Sequence, residues 1–225
     1  MNNYIILSQK SWNTSLLKDL SLRTNDNWVL ISSKDDFNKN NLKKINPDKI
    51  FIPHWSYIIP ELIFNSYECI VFHMTDLPYG RGGSPLQNLI VRGFKETKIS
   101  AIKVSKGIDT GDVYLKKDFS LEGTASQIFS RANGIIEKMI EEIIENNLKP
   151  TPQEGEVTEF KRRKPEESNL SKLSNLNDMY NYIRMLDANG YPHAFVENEN
   201  FKFEFRKATF ISGQELEAKV KIIKK

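Results

Sequence analysis

A histidine closes the apolar run Cys69-Ile70-Val71-Phe72-His73, and a dense polar segment follows at once: Thr75, Asp76, Pro78, Arg81, Gly82, Gly83, Ser84 and Pro85. An imidazole at such a place can move a proton near neutral pH, and the backbone N–H groups of Gly82, Gly83 and Ser84 could approach an anion. Arg81 could grip a phosphate or carboxylate through two parallel hydrogen bonds. The plainer reading is a tight loop whose histidine is satisfied by a backbone carbonyl. No Gly-Lys-Ser/Thr follows, so the segment is not a P-loop. A second cluster, Lys106-Gly107-Ile108-Asp109-Thr110-Gly111-Asp112, has two glycines that allow a backbone path aiming a carboxylate across a cleft. Asp109 beside His73 would fix the ring for proton transfer. The alternative is a β-turn whose aspartates cap local N–H groups.

These side chains need a scaffold, and the flanking pattern supplies one. Tyr4 to Leu7, Trp28 to Ser32, Lys49 to Pro53 and Glu68 to Met74 read as buried strands of a parallel sheet. Between them, Ser11 to Leu20 opens on a serine cap, Asp35 to Ile45 is a further helix, and Ile59 to Asn65 carries Pro60 in its first turn. Ser84 and Pro85 form an N-cap and N1 pair for a helix through Arg92. Lys98 to Ser105 and Val113 to Leu121 continue the sheet, and Thr124 to Asn146 is a long helix with Ile128, Phe129, Ile135, Ile136, Met139, Ile140 and Ile143 on one stripe. This is α/β, with helices on both faces, and ligands of such sheets sit at the carboxyl ends of the strands. Pro150 and Pro152 mark a linker, so the reading is a catalytic domain over 1–150 and a linker with a small subdomain over 151–225. The latter holds the basic run Lys161 to Lys164, a helix around Asn177 to Asp187 and a hairpin built on Phe201, Phe203 and Phe205.

The 225 residues are 39% hydrophobic and 27% charged, which is globular composition and excludes whole-chain disorder. A net charge of +3, spread along the chain, does not imply nucleic acid. Apolar runs are far short of a membrane span and Met1 to Lys10 has no signal-peptide pattern, so a cytoplasmic location is expected. One cysteine and three scattered histidines give no disulfide and no zinc spacing.

His73, Thr75, Pro78, Arg81, Gly82 and Pro85, with Gln87 beyond them, then Asp109, Thr110, Gly111 and Asp112, together resemble the motifs of the formyltransferase family that uses N10-formyltetrahydrofolate. The likeness extends over roughly Phe51 to Phe210. The runs His73 to Pro78 and Gly80 to Ile90, with Phe160 to Ser168, Ile183 to Asp187 and Tyr191 to Phe195, are similar to the sugar N-formyltransferase subgroup, in particular to enzymes formylating UDP-linked amino sugars on the way to pseudaminic acid, and to formylation domains of peptide synthetases. The resemblance implies a Rossmann-like formyltransferase sheet with flanking helices plus a small C-terminal helix and β-hairpin subdomain. It implies His73 as hydrogen-bond or proton donor at the developing oxyanion and Asp109 as its orienting partner, without a metal. The family carries an asparagine two residues before the histidine; here that position is Val71. Asn88 is one substitute, Gln87, Thr75 or a backbone N–H are others, and a plain helix residue is the alternative for Asn88. Ile70, Val71, Lys106, Gly107, Ile108 and Asp112 would hold the folate, with Trp55 and Tyr57 as walls or packing residues. Thr75, Arg81, Gly82, Gly83, Ser84 and Gln87 would hold the acceptor, with Arg162, Arg163 and Lys164 as further cations for its diphosphate. His54 and His193 read as loop and hairpin residues.

The partner so implied is a nucleotide-linked amino sugar and no nucleic acid. The nearest alternative is an enzyme acting on methionyl initiator tRNA, although that class is expected to carry an additional C-terminal barrel, for which Asn175 to Lys225 is short. A glycinamide ribonucleotide acceptor fits the appendage poorly. A catalytically impaired folate-binding module stays open because of Val71. The phenylalanine-rich hairpin could pair two copies into a homodimer or cover the chain's own linker.

Overall fold

The strands that surround the histidine form because their residues are apolar on both sides and short of turn formers. In the computed structural model, which describes residues 1–10 and 13–225, a six-stranded sheet runs in the order β2-β1-β3-β4-β6-β7. Its members are β1 (Asn3–Ser8), β2 (Asn27–Ile31), β3 (Lys49–His54), β4 (Glu68–His73), β6 (Glu96–Lys103) and β7 (Val113–Ser120); the two-residue strand β5 (Arg81–Gly82), which follows β4 in the chain, is not part of this sheet. The first four pair in parallel, whereas β4 pairs antiparallel with β6, matching His73 with Ser100. The sheet is therefore mixed where the sequence suggested parallel, since a strand's own residues do not encode its direction.

Side chains alternate across the sheet. Ile5, Leu7, Ile31, Ile50, Ile52 and Cys69 lie on one face, in a cluster with Leu42 of α2 (Lys39–Ile45) and Ile63 of α3 (Glu61–Phe64). The other face carries an aromatic ladder: Tyr4 to Trp28 at 4.8 Å, Tyr4 to Phe51 at 5.8 Å and Phe51 to Phe72 at 6.5 Å between ring centres. Each such side chain contributes roughly 1.5–3 kcal/mol by leaving water. α1 (Asn13–Arg23) is tied to α5 (Ala125–Glu145) by Asn13 with Asn133 at 2.6 Å and by Arg23 with Glu137 at 2.8 Å. The serine cap expected at Ser11 lies outside the described residues. α2 starts later than Asp35 because Asn38 caps it, its Oδ1 accepting from the N–H groups of Asn40 and Asn41 at 3.0 Å each.

The chain falls into two interleaved compact units, the first comprising residues 1–81, 98–119 and 130–159, the second 82–97, 120–129 and 160–225. The segment read as a linker stays with the first unit, where Thr151 and Val113 exchange backbone hydrogen bonds of 2.7 and 2.9 Å. It ends in the short strand β8 (Glu159–Phe160). The second unit contains α4 (Pro85–Val91), α6 (Leu176–Arg184) and a three-stranded antiparallel sheet in the order β11-β10-β9. These strands are β9 (Ala194–Glu197), β10 (Phe201–Ser212) and β11 (Glu215–Lys224), so the expected hairpin has a third strand. Phe203 faces Ile222 and Phe205 faces Val220 on one side of this sheet. Among the described residues, no helix is long and apolar enough to cross a membrane.

Candidate active site

Position 73 shares a face with Cys69 and Val71 by strand periodicity, at the carboxyl end of β4. His73 is 7% exposed, and its Nε2 lies 2.8 Å from the Gly80 carbonyl oxygen. A carbonyl only accepts, so Nε2 carries the hydrogen. Nδ1 is left facing Asp109, whose Oδ2 is 3.4 Å away. The two motifs read from sequence thus meet at one imidazole.

Three further residues set the loop after His73. Ser100 on β6 donates to the Thr75 carbonyl at 2.7 Å and accepts from the Leu77 N–H at 3.3 Å. Lys116 on β7 reaches Asp76 at 2.5 Å and also the Leu77 carbonyl. The N–H groups of Gly80 and Arg81 both donate to the Thr158 carbonyl at 2.9 Å. Asp109 sits in the left-handed region, φ 53°, within a loop turning tightly on β6: a Cβ at Gly111 would lie 1.6 Å from the Lys103 carbonyl oxygen. Gln153 bridges the two loops. Its Oε1 accepts from Arg81 Nε and Nη2 at 3.2 and 2.8 Å, and its Nε2 donates to the carbonyls of Asp109 and Gly111 at 2.8 and 2.7 Å.

Ser100, Lys116 and Gln153 went unread in the sequence because each acts on residues distant in the chain and none belongs to a motif. Among the described residues no group of histidines, cysteines or carboxylates could hold a metal ion. The folate residues divide. Ile70 is wholly buried and offers no side chain, and Val71, like Trp55 and Val104, packs on the apolar cluster. Lys106, Gly107 and Ile108 are exposed, and Lys106 and Asp112 help line a cleft of about 470 Å³ together with Glu61, Asn65 and Lys103. His73 and Asp109 do not line it, although it adjoins the loop that presents Asp109. The cleft's size and its lysines Lys103 and Lys106 suit a folate with its carboxylates. Trp55 packs edge-on to Phe37 at 5.9 Å and to Tyr57 at 5.5 Å. His54 is a half-buried strand residue and not a loop residue, its imidazole pushed down to about 4 by burial and then by Lys10. His193, before β9, is lowered mainly by burial.

The acceptor residues are mostly committed to structure. Thr75 is fully buried, its hydroxyl 3.4 Å from the Gly80 carbonyl, so its side chain is closed to an acceptor. Gly82, Gly83, Ser84, Gln87 and Asn88 belong to the second unit. There the two glycines permit close passage of 160–162: a Cβ on Gly82 would meet the Phe160 carbonyl at 2.4 Å, and one on Gly83 would meet Arg162 at 2.6 Å. The Ser84 side chain does not cap α4 but accepts from the Arg163 N–H at 3.1 Å. Gln87 donates to the Met185 carbonyl at 3.2 Å. The Asn88 amide points at the carbonyls of Gly83, Ser84 and Lys161 at 2.9, 3.1 and 2.9 Å, while its Oδ1 accepts from Arg92 at 2.9 Å. Its two hydrogens are in use, which makes it a clamp rather than an oxyanion donor. Arg163 is held by the Glu167 carbonyl at 2.9 Å and lies over the Tyr182 ring.

A family profile described as formyl transferase matches residues 18–133, and one described as methionyl-tRNA formyltransferase, C-terminal domain, matches 165–223. A methionyl-tRNA formyltransferase of Clostridium botulinum is 29% identical over 174 residues, 74% of this chain. The chain spans 56% of that relative's length. A solved structure described as methionyl-tRNA formyltransferase from Clostridium thermocellum superposes with a TM-score of 0.96 and 49% identity, covering all of both chains. A sugar N-formyltransferase from a Shewanella species superposes at 0.73 with 15% identity over 94% of this chain and 99% of its own, a likeness of fold alone. These findings overturn the UDP-amino-sugar acceptor, with its pseudaminic acid setting, and the exclusion of nucleic acid. They also overturn the argument from length, because 165–223 itself matches a C-terminal domain of the tRNA-acting class. The physical reason is that the 73–90 segment fixes loops and packing, so its motif does not encode the acceptor.

Proposed function

We propose, from the premise that this chain belongs to the formyl transferase family, that it moves the formyl group of N10-formyltetrahydrofolate onto the amine of a methionyl-tRNA. The observation carrying this reading is the 49% identity with the Clostridium thermocellum methionyl-tRNA formyltransferase across the whole of both chains. The folate, when bound, supplies the activated formyl carbon. His73 and Asp109 are the catalytic pair: the amine must shed a proton as it attacks, and because the Nε2 hydrogen of His73 is held by the Gly80 carbonyl, it is Nδ1, with the Asp109 carboxylate 3.4 Å away, that would take the proton and return it to the leaving nitrogen. The Gly80 carbonyl fixes the ring's orientation. Lys103 and Lys106 would hold the folate's carboxylates, and the reaction is cytoplasmic.

The test is single-turnover transfer from N10-formyltetrahydrofolate to charged initiator tRNA, with uncharged tRNA and free methionine as controls. Formyl-methionyl-tRNA should form and should vanish with His73→Ala. A protein that binds the folate yet formylates no methionyl-tRNA would overturn the reading.

A further inference from the structure

We propose that Gln153 is a positioning residue of this site, locking the Asp109 loop to the Arg81 loop and thereby fixing the separation of Asp109 from His73. The inference rests on the formyl-transfer reading and extends it to a residue outside both motifs. A carboxamide has two hydrogens and two oxygen lone pairs. In Gln153 the hydrogens go to the Asp109 and Gly111 carbonyls at 2.8 and 2.7 Å, and the oxygen takes two N–H groups of Arg81 at 3.2 and 2.8 Å. One side chain therefore spans both loops with its full capacity. What it holds is specific. Asp109 occupies a left-handed conformation costly for a residue with a side chain, so the backbone there needs external anchors to persist. On the other side, Arg81 follows Gly80, the residue whose carbonyl orients His73. A loop shift of about 1 Å can cost on the order of 10²-fold in rate.

Two substitutions separate the halves of the bridge. Gln153→Leu removes both. Gln153→Glu keeps an acceptor for Arg81 but turns an oxygen toward the Asp109 and Gly111 carbonyls, so it breaks the Asp109 half alone. Both should lower kcat about 10- to 100-fold, change KM for tRNA and folate by less than about 2-fold, and displace the limbs of the pH–rate profile. A merely structural role would reduce the folded fraction and scale the profile without displacing it. In an Asp109→Asn background, Gln153→Leu should cost less than about 2-fold further, because it acts through Asp109. Wild-type kcat in Gln153→Glu, or a full additional loss in the Asp109→Asn background, overturns the proposal.

Hydrogen exchange gives a readout independent of the acceptor. Amides of 105–112 should exchange faster in Gln153→Leu and Gln153→Glu at unchanged melting temperature, and unchanged exchange there overturns the coupling. If the unsubstituted chain formylates no methionyl-tRNA, the functional reading falls while this exchange result still decides whether Gln153 holds the loop.

Discussion

A neutral imidazole has one hydrogen, and in His73 the Gly80 carbonyl has claimed it. Nδ1 is thereby turned toward Asp109, so the chemistry proposed for the site depends on a carboxylate whose backbone sits at φ 53°. Asp109→Asn keeps the shape of the side chain and removes its charge. It should lower kcat about 10²- to 10³-fold, as should His73→Ala, with both proteins melting near the unsubstituted one. Single-turnover rates beside thermal melts check this, and near-normal turnover in either variant removes that residue from the mechanism. A neighbouring substitution tests the loop instead of the charge. In Gly111→Ala the new methyl would collide with the Lys103 carbonyl at 1.6 Å, so the backbone must move. Activity should fall as far as in Asp109→Asn while all charged groups remain.

Among the elements, α6 is held by a buried cation rather than by apolar contact alone. Arg184 is 8% exposed; its Nη1 donates to the Leu121 carbonyl at 2.6 Å and the Gly123 carbonyl at 3.0 Å, and its Nε donates to Asn181 at 2.8 Å. Arg184→Met leaves two carbonyls without this donor and should cost about 2–3 kcal/mol in urea unfolding. Arg184→Lys should not restore it, since one ammonium lacks the fork that spans three acceptors. A loss below about 0.5 kcal/mol would show that water replaces the contact. The sequence made elements legible in proportion to their burial. The strands up to β4 show as apolar runs because both faces are covered, and α5 shows because its stripe is continuous. β11 left little trace, as Glu215 to Lys224 is mostly exposed and its Val220 and Ile222 are 48% and 63% accessible. The antiparallel turn of β6 was hidden for the reason direction always is: pairing is a property of two strands. In the site, His73 and Asp109 were readable from residue type and glycine context. Gln153 was not, since a lone glutamine beside Pro152 acquires meaning only when residues far along the chain meet it. Asn88 stayed open between two readings because a polar residue in a short helix looks alike whether it serves a ligand or a neighbouring carbonyl.

At the scale of the whole molecule, stability should depend on pH through a group outside the catalytic pair. His54 closes β3, and burial, with Lys10 adding to it, pushes its imidazole down to about 4. In the unfolded chain a histidine titrates near 6.5. The folded state therefore disfavours the proton that the unfolded state accepts. Above about pH 6.5 both states are neutral at this ring and the folded protein has its full stability. As the pH falls toward 4, the unfolded chain takes up the proton first and stability drains away; below that the two states bind it alike. A shift of this size corresponds to at most about 3 kcal/mol. His54→Gln removes the titrating ring and leaves every carboxylate in place, so acid effects common to both proteins cancel in the comparison. Urea unfolding at pH 7 and at pH 4.5 should show the unsubstituted protein losing more stability than His54→Gln between the two, by about 2 kcal/mol. Equal losses would mean that His54 meets solvent readily enough to be protonated in the native state, and that the end of β3 opens without global unfolding.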